Sequence, residues 1–500
     1  MQRKYLDRII DNLRKNIDKD IKRGNYGEAL NLIATLAEVF YESNIKYTDE
    51  KLESQIEYIS SKILIEQGGS EATRAEGLRN AEIIEAGSFD ESVVLFWDAF
   101  GFDERGLVQI YLKAIFKFAK VVYVTYSAWE NKIPKLKSFL KDNGAKVCFL
   151  DGNKKDSVSQ IYALNDIIRK YKPGHMVLYG FPYDTTATPL FYAYEGKIRR
   201  YLVNLTDHSF WLGAGCIDKC LEFREYGACI SNKYRGIDRD KIFHLPMYPS
   251  VDYEQEFEGF PFEKQPDTKV IFSGGSLYKT FGGGNKYYEM VEYILSHYEK
   301  VIFWYAGSGD DSELKKLIEK FPGRLAYTKE RRDLFQVLNS VDVYLSTYPV
   351  CGGLMFQYSA LAGRVPLTLY SNDVSDGFLL KQEELGIFFD TPDELYKELD
   401  KLLKDEEYKT SRGEALKKSV ASCEAFEKEV RHAFTGLGET KFPIRYKDVN
   451  TDDFRAGMLE EYNNTKYNKS LLYRNSKKTI MKVEPFRMLS IIIDKAKKKI

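Results

Sequence analysis

The chain reads as an α/β protein with two Rossmann-like domains facing one cleft, flanked by an N-terminal helical domain and a basic helical C-terminal tail. Three observations carry that reading. From Gly87 short apolar runs alternate with amphipathic helices, and a second such series begins near Lys269. Between the two lies PMYPSVDYEQEFEGFPFEKQPD, a Pro-, Gly- and acid-rich stretch with the composition of an interdomain linker. Strand and helix in strict alternation mean parallel sheets with right-handed crossovers, whose ligands bind outside the carboxyl ends of the strands.

Taken in order, residues 1–86 form the helical N-terminal domain. Leu6, Ile9, Ile10 and Leu13 recur on one face, GNYGEALNLIATLAEVFY carries a second apolar stripe, and Gly24-Asn25 and Ser43-Asn44 stop the helices. Residues 87–250 form the first Rossmann-like domain, on the acceptor side. Strands are predicted over Val93 to Phe100, Val121 to Tyr126, Lys146 to Leu150, Met176 to Phe181 and Arg200 to Leu205. Helices fall between them at Leu107 to Phe118, Ile133 to Asn143 and Val158 to Lys170.

The linker occupies 251–268, and 269–440 is the second, donor-side domain. Its strands are VIFSGG, VIFWYAG, LAYT, VDVYLST and VPLTLY, with helices from Lys286, Ser312 and Arg332 between them. In VDVYLSTYPVCGGLMFQYSALAGRVPLTL a strand ends at Thr347, Gly352 and Gly353 turn the chain, and a helix runs from Leu354 to Ala362. Free backbone N–H groups and a helix dipole then point at one spot, where an anion is the natural occupant. Residues 441–500 form the C-terminal extension.

Composition removes several function classes. Lys+Arg and Asp+Glu both number 74, so net charge gives no reason to expect nucleic acid. No run approaches the roughly 20 apolar residues of a membrane span, and the charged N-terminus lacks the apolar core of a secretory signal. Cys148, Cys216, Cys220, Cys229, Cys351 and Cys423 are scattered rather than arranged as a disulfide or zinc framework, which points to the cytoplasm. GGSLYKT ends like a nucleotide-triphosphate loop, but Tyr278 stands where glycine is needed. No G-x-G-x-x-G follows VVLFWDAF, which removes the main support for a dinucleotide dehydrogenase.

Two Rossmann-like domains, a linker, SGGSLYK on the first strand of the second domain and a late glycine-helix-Gly-x-x-Pro segment together resemble the GT-B glycosyltransferases. Within them, YPVCGGLMFQYSALAGRVPLTL looks most like the donor segment of the O-GlcNAc transferase and bacterial protein N-glycosyltransferase group. The resemblance implies a nucleotide-sugar donor, UDP-linked by family. Retaining members carry two glutamates at positions that here hold Cys351 and Ser359, so inversion is expected.

An inverting transfer needs a base for the acceptor proton and positive groups for the leaving diphosphate. His208 in NLTDHSFWLG follows a strand end and is the candidate base, with Asp207 as the alternative and His244 as a lesser hinge or donor contact. Gly274, Gly275 and Ser276 let the donor approach, Lys279 is the expected diphosphate ligand, and Lys286 is the second choice. Gly352, Gly353 and Leu354 form the cradle. The resemblance adds Tyr327, Thr328 and Lys329 around the nucleobase and Ser359 toward the ribose. Acceptor contacts are expected from Gly101, Asp103, Arg105 and Asp184 at strand ends of the first domain.

No cofactor and no metal are expected, since a lysine and a helix dipole neutralise a diphosphate. The tail, with Met488, Leu489, Ile491, Ile492 and Ile493 among Lys and Arg, reads either as a helix packed on the body or as an amphipathic helix drawn to anionic membrane. The expected activity is transfer of a sugar to a glycan, lipid-linked or protein acceptor in polysaccharide biosynthesis or protein glycosylation. Two other readings stay open: a sugar-nucleotide epimerase or polyol-phosphate transferase of the same fold, and a noncatalytic binding protein with a vestigial cleft.

Overall fold

The computed structural model describes residues 2–66, 81–84, 87–101, 106–151, 157–281, 283–370, 376–464 and 477–483. Helices Gln2–Lys22, Tyr26–Ser43 and Glu50–Ile63 open the chain, followed by a parallel pair, β1 (Leu64–Glu66) and β2 (Ala81–Ile83). Helix Tyr26–Ser43 stops at Asn44, which takes the left-handed conformation (φ 50°) that Asn tolerates, and its N–H closes on Phe40 O.

The first sheet is wholly parallel: β3 (Asp90–Asp98), β4 (Lys120–Tyr126), β5 (Lys146–Leu150), β6 (Pro173–Tyr179), β7 (Arg199–Asn204), β8 (Lys219–Glu222) and β9 (Ile242–His244), in the order β5-β4-β3-β6-β7-β8-β9. Alternation along β3 divides its side chains between two cores. Val93, Leu95 and Trp97 join a cluster with Leu30, Ile33, Phe40 and Ile56 of the N-terminal helices. Val94 and Phe96 face the other way, toward Phe426, Val430 and Phe434. The N-terminal helices thus cover one face of the first sheet and share its core. Helix Cys423–Thr435 covers the opposite face, where Phe434 stacks on Tyr201 with ring centroids 4.0 Å apart. Of the stretch assigned by sequence to the second domain, this helix lies on the first sheet.

The second sheet comprises β10 (Lys269–Ser276), β11 (Val301–Ser308), β12 (Leu325–Thr328), β13 (Val343–Leu345), β14 (Pro366–Leu369) and β15 (Phe388–Phe389), parallel in the order β12-β11-β10-β13-β14-β15. Strand order reverses between β3 and β6 in one sheet and between β10 and β13 in the other. A crevice opens at each such switch point. The linker lies against the second sheet through Phe260 and Phe262, each 6.1 Å from Trp304.

Beyond the second sheet the chain straps the two halves together. Arg445 pairs with Glu225 of the first domain (3.2 Å) and Glu383 of the second (3.0 Å), and Lys447 pairs with Asp376. Helix Lys477–Val483 then packs on helix Gln2–Lys22, where Asn12 Nδ2 donates to Val483 O (2.9 Å) and Lys482 reaches Asp20 (2.6 Å). Met488 to Ile493, on which the two readings of the tail turn, lie outside the described residues.

Candidate functional site

At the switch point of the second sheet, β10 ends in Gly274, Gly275 and Ser276. Gly275 has φ +126° and open space where a Cβ would stand, so backbone is exposed there to a ligand. A single 3₁₀ turn, Leu277–Thr280, follows and is closed by Thr280 Oγ1 donating to Leu277 O (2.8 Å). It carries Lys279 across to the neighbouring strand end, and Val350 N donates to Lys279 O (3.3 Å). A Cβ built on Gly352 would stand 3.6 Å from Lys279 Nζ. Helix Gly353–Leu361 begins at the next residue with no side-chain cap on its first-turn N–H groups. The structure therefore brings Lys279, Gly352 and Gly353 together.

The other donor-side candidates divide. Lys286 opens the exposed start of helix Lys286–His297. Tyr327 is half-buried with its hydroxyl donating to Gly307 O (3.1 Å), Thr328 Oγ1 accepts from Trp304 Nε1 (3.0 Å), and Lys329 is exposed. Leu354 is partly exposed in the first turn of the cradle helix. Ser359 is fully buried and donates to Arg364 O (2.7 Å), so it closes the far end of that helix instead of facing a ribose.

On the first sheet the carboxylates at the strand ends are turned inward. Asp98, at the end of β3, accepts from Tyr123 OH (2.6 Å) and from the N–H groups of Phe100 (2.9 Å) and Gly101 (3.0 Å), and burial pushes its pKa up to about 6. Asp184 accepts from Trp97 Nε1 (2.6 Å), Thr186 N (2.7 Å) and Ala187 N (2.8 Å), and burial raises it too. Gly101 packs under Trp129 so closely that any Cβ would collide with the indole. Asp103 and Arg105 lie outside the described residues.

His208 stands in the loop after β7. Its Nδ1 is 3.3 Å from Asp207 Oδ1, its ring is 23% exposed, and Phe454 approaches edge-on at 6.0 Å. The loop is held from the N-terminal helices, where Asn44 Nδ2 donates to His208 O (2.9 Å) and Ser209 Oγ to Tyr41 O (2.6 Å). Asp207 is fully buried and bound in a fork by Arg224, with Nε 2.5 Å from one oxygen and Nη2 2.8 Å from the other. Burial alone would raise its pKa, but the guanidinium outweighs this and holds the carboxyl well below the usual range. A carboxylate so stabilised is a weak base, and its geometry suits orienting the imidazole. His244 is half-buried, and desolvation of its ring lowers its pKa to about 4, so it is neutral at pH 7.

Sequence reasoning missed Arg224, Gln357 and Tyr41. Arg224 crosses from the first domain to the second, donating through Nη1 to Asp376 O (3.0 Å) with its guanidinium carbon 4.1 Å from the Phe378 ring centroid. Gln357 Nε2, on the cradle helix, donates to Met247 O (2.6 Å) and Phe378 O (3.2 Å). Tyr41 approaches Tyr183 at 6.3 Å, and its phenol is raised by burial and by the Tyr278 and Tyr183 phenols, which places helix Tyr26–Ser43 at the cleft beside the Lys279 turn. A signal for Arg224 existed, a lone cation in CLEFREYGACI, but it needs β8 to be recognised first.

No family model and no curated protein matches the sequence. Solved structures do match. MnaA from S. aureus, in a co-structure with UDP, is 14% identical over 70% of this chain and 100% of that one, with a TM-score of 0.50. An O-GlcNAc transferase mutant from Thermobaculum terrenum is 13% identical over 86% of this chain and 78% of that one, also at 0.50. HepE from Anabaena, in complex with UDP-glucose, is 10% identical over 69% of this chain and all of that one, again at 0.50. With the two parallel sheets and their strand orders, these likenesses establish the GT-B fold.

Proposed function

We propose that this chain is a glycosyltransferase that moves a sugar from a nucleotide donor, a UDP-sugar, to a glycan, lipid-linked or protein acceptor, with inversion and without a metal. The observation that carries the reading is the Lys279 ammonium placed against Gly352 at the N-terminus of helix Gly353–Leu361. There the leaving diphosphate meets a cation and backbone N–H groups already aimed at it, so no rearrangement is required as charge develops. Gly274, Gly275 and Ser276 admit the donor backbone-close, and Tyr327 with Lys329 borders the base. His208, oriented through Nδ1 by Asp207, takes the acceptor proton on Nε2. The acceptor oxygen bonds to the anomeric carbon as the bond to the phosphate oxygen breaks, and that electron pair leaves with the diphosphate. Six free cysteines suit a cytoplasmic site for this chemistry. Among the described residues, no helix is long and apolar enough to cross a membrane.

A second reading, epimerisation of a UDP-sugar, is favoured by the likeness to a UDP-N-acetylglucosamine 2-epimerase from Listeria monocytogenes described as putative, at a TM-score of 0.50 and 13% identity. One incubation separates the two. A panel of UDP-sugars is supplied with and without acceptor extracts, and products are resolved by mass and by nuclear magnetic resonance. Transfer predicts free UDP and a new glycoside, both lost in Lys279→Ala and His208→Ala. An isomerised donor without UDP release replaces the first reading by the second, and no turnover of any UDP-sugar overturns both.

A further inference from the structure

Arg224 is a strongly basic side chain, buried at the junction of the two domains, and the transfer chemistry gives it no step. Its two ends do different things. Nε and Nη2 grip Asp207, the residue behind His208, while Nη1 reaches Asp376 O and the guanidinium plane lies over Phe378. Phe378 in turn sits directly on Gly353, where any Cβ would collide with its ring, and its carbonyl accepts from Gln357 one turn further along the same helix. Gly377, at φ +81°, is closely packed as well, since a Cβ would stand 3.2 Å from Arg224 Cβ. Residues 376–378 are therefore clamped between Arg224 and the first turn of the cradle helix.

We propose that Arg224 is a positioning residue for the donor: through Phe378 it sets the first turn of helix Gly353–Leu361, and through Asp207 it ties that turn to His208 across the cleft. The inference rests on the donor reading of the Lys279 site. Arginine suits the task because a planar guanidinium donates along its edges and stacks on its face at once, which an ammonium cannot. The buried Asp207 carboxylate offsets the cost of placing that charge inside the protein, and the pair gives the loop one defined geometry. Donor pocket and proposed base are thereby joined through one buried side chain.

The test is a calorimetric titration with UDP of the full-length chain as wild type, Arg224→Lys, Phe378→Leu and the double variant, each checked for fold by circular dichroism. Phe378→Leu leaves the buried ion pair intact, so it decides alone should Arg224→Lys not fold. Each single substitution is expected to weaken UDP about tenfold, the scale of one lost cation–π contact with its positioning. The double variant is expected to be no weaker than either single, because both act through one contact. A merely structural role would lower thermal stability without that non-additivity. Phe378→Leu that binds UDP within about twofold of wild type, or single effects that multiply, overturns the inference. A wild type that binds no UDP overturns the donor reading and the inference with it.

Discussion

The carboxyl ends of the two sheets share a topology and use their polar residues in opposite ways. At the ends of β10 and β13 the chain is glycine and one lysine, with open space at Gly275 and the Lys279 ammonium beside an uncapped helix start. At the ends of β3, β6 and β7 stand Asp98, Asp184 and Asp207, and each accepts its hydrogen bonds from inside the protein. A buried carboxylate is costly unless it is paired, so these three serve as fasteners for the loops that carry them. What the first sheet offers the cleft is the partly exposed His208 ring, together with aromatic side chains. One half leaves backbone open and sets a cation beside a helix start; the other satisfies its carboxylates internally.

Four substitutions break or sharpen that contrast, in descending order of effect. Lys279→Ala should lower kcat/KM for transfer by about 1,000-fold, the scale of losing a preorganised charge at a leaving group. Initial rates within a few fold of wild type would erase the distinction between the halves. His208→Gln should lower kcat by about 100-fold while leaving the donor KM in place, since proton transfer alone is removed.

Asp98→Asn addresses the fastener role through pH. Its folded pKa of about 6 lies above the ordinary 3.8, so the folded state binds more protons than the unfolded one between those values. Stability from this group is then fully present below about pH 4 and lost as pH rises through about 6, by about 3 kcal/mol in total. His244, lowered to about 4, contributes with the opposite sign over part of this range. The difference between wild-type and Asp98→Asn denaturation curves isolates the aspartate, and a difference that does not change between pH 4 and 7 would contradict its assignment. Ser359→Ala should cost about 1 kcal/mol of stability through the lost bond to Arg364 O and leave the UDP Kd unchanged, as calorimetry and urea titration would report.

Local rules made much of this legible. The cradle helix was expected from Leu354 to Ala362 and runs Gly353–Leu361, because a glycine turn between an apolar strand and an apolar run leaves little else to form. Gly275 and Lys279 were legible for the same reason, since strand end, glycine and basic residue lie within six positions. The strands β8 and β9 were not. KCLE and IFH are too short to show a period, and without them the loop that carries Arg224 had no place in the sheet. Ser359 and Asp184 looked like ligands by position, yet which way a short side chain points depends on the packing around it.

By itself the sequence determined the two α/β halves, their linker, the glycine cradle and the lysine opposite it, all of them consequences of periodicity and of contacts between neighbours in the chain. Only the tertiary structure decided that the N-terminal helices and helix Cys423–Thr435 sandwich the first sheet, that the carboxylates turn inward, and that Arg224 spans the cleft. The reason is separation: Arg224 and Asp376 lie 152 residues apart, and no short-range pattern encodes which distant backbone a buried guanidinium will find.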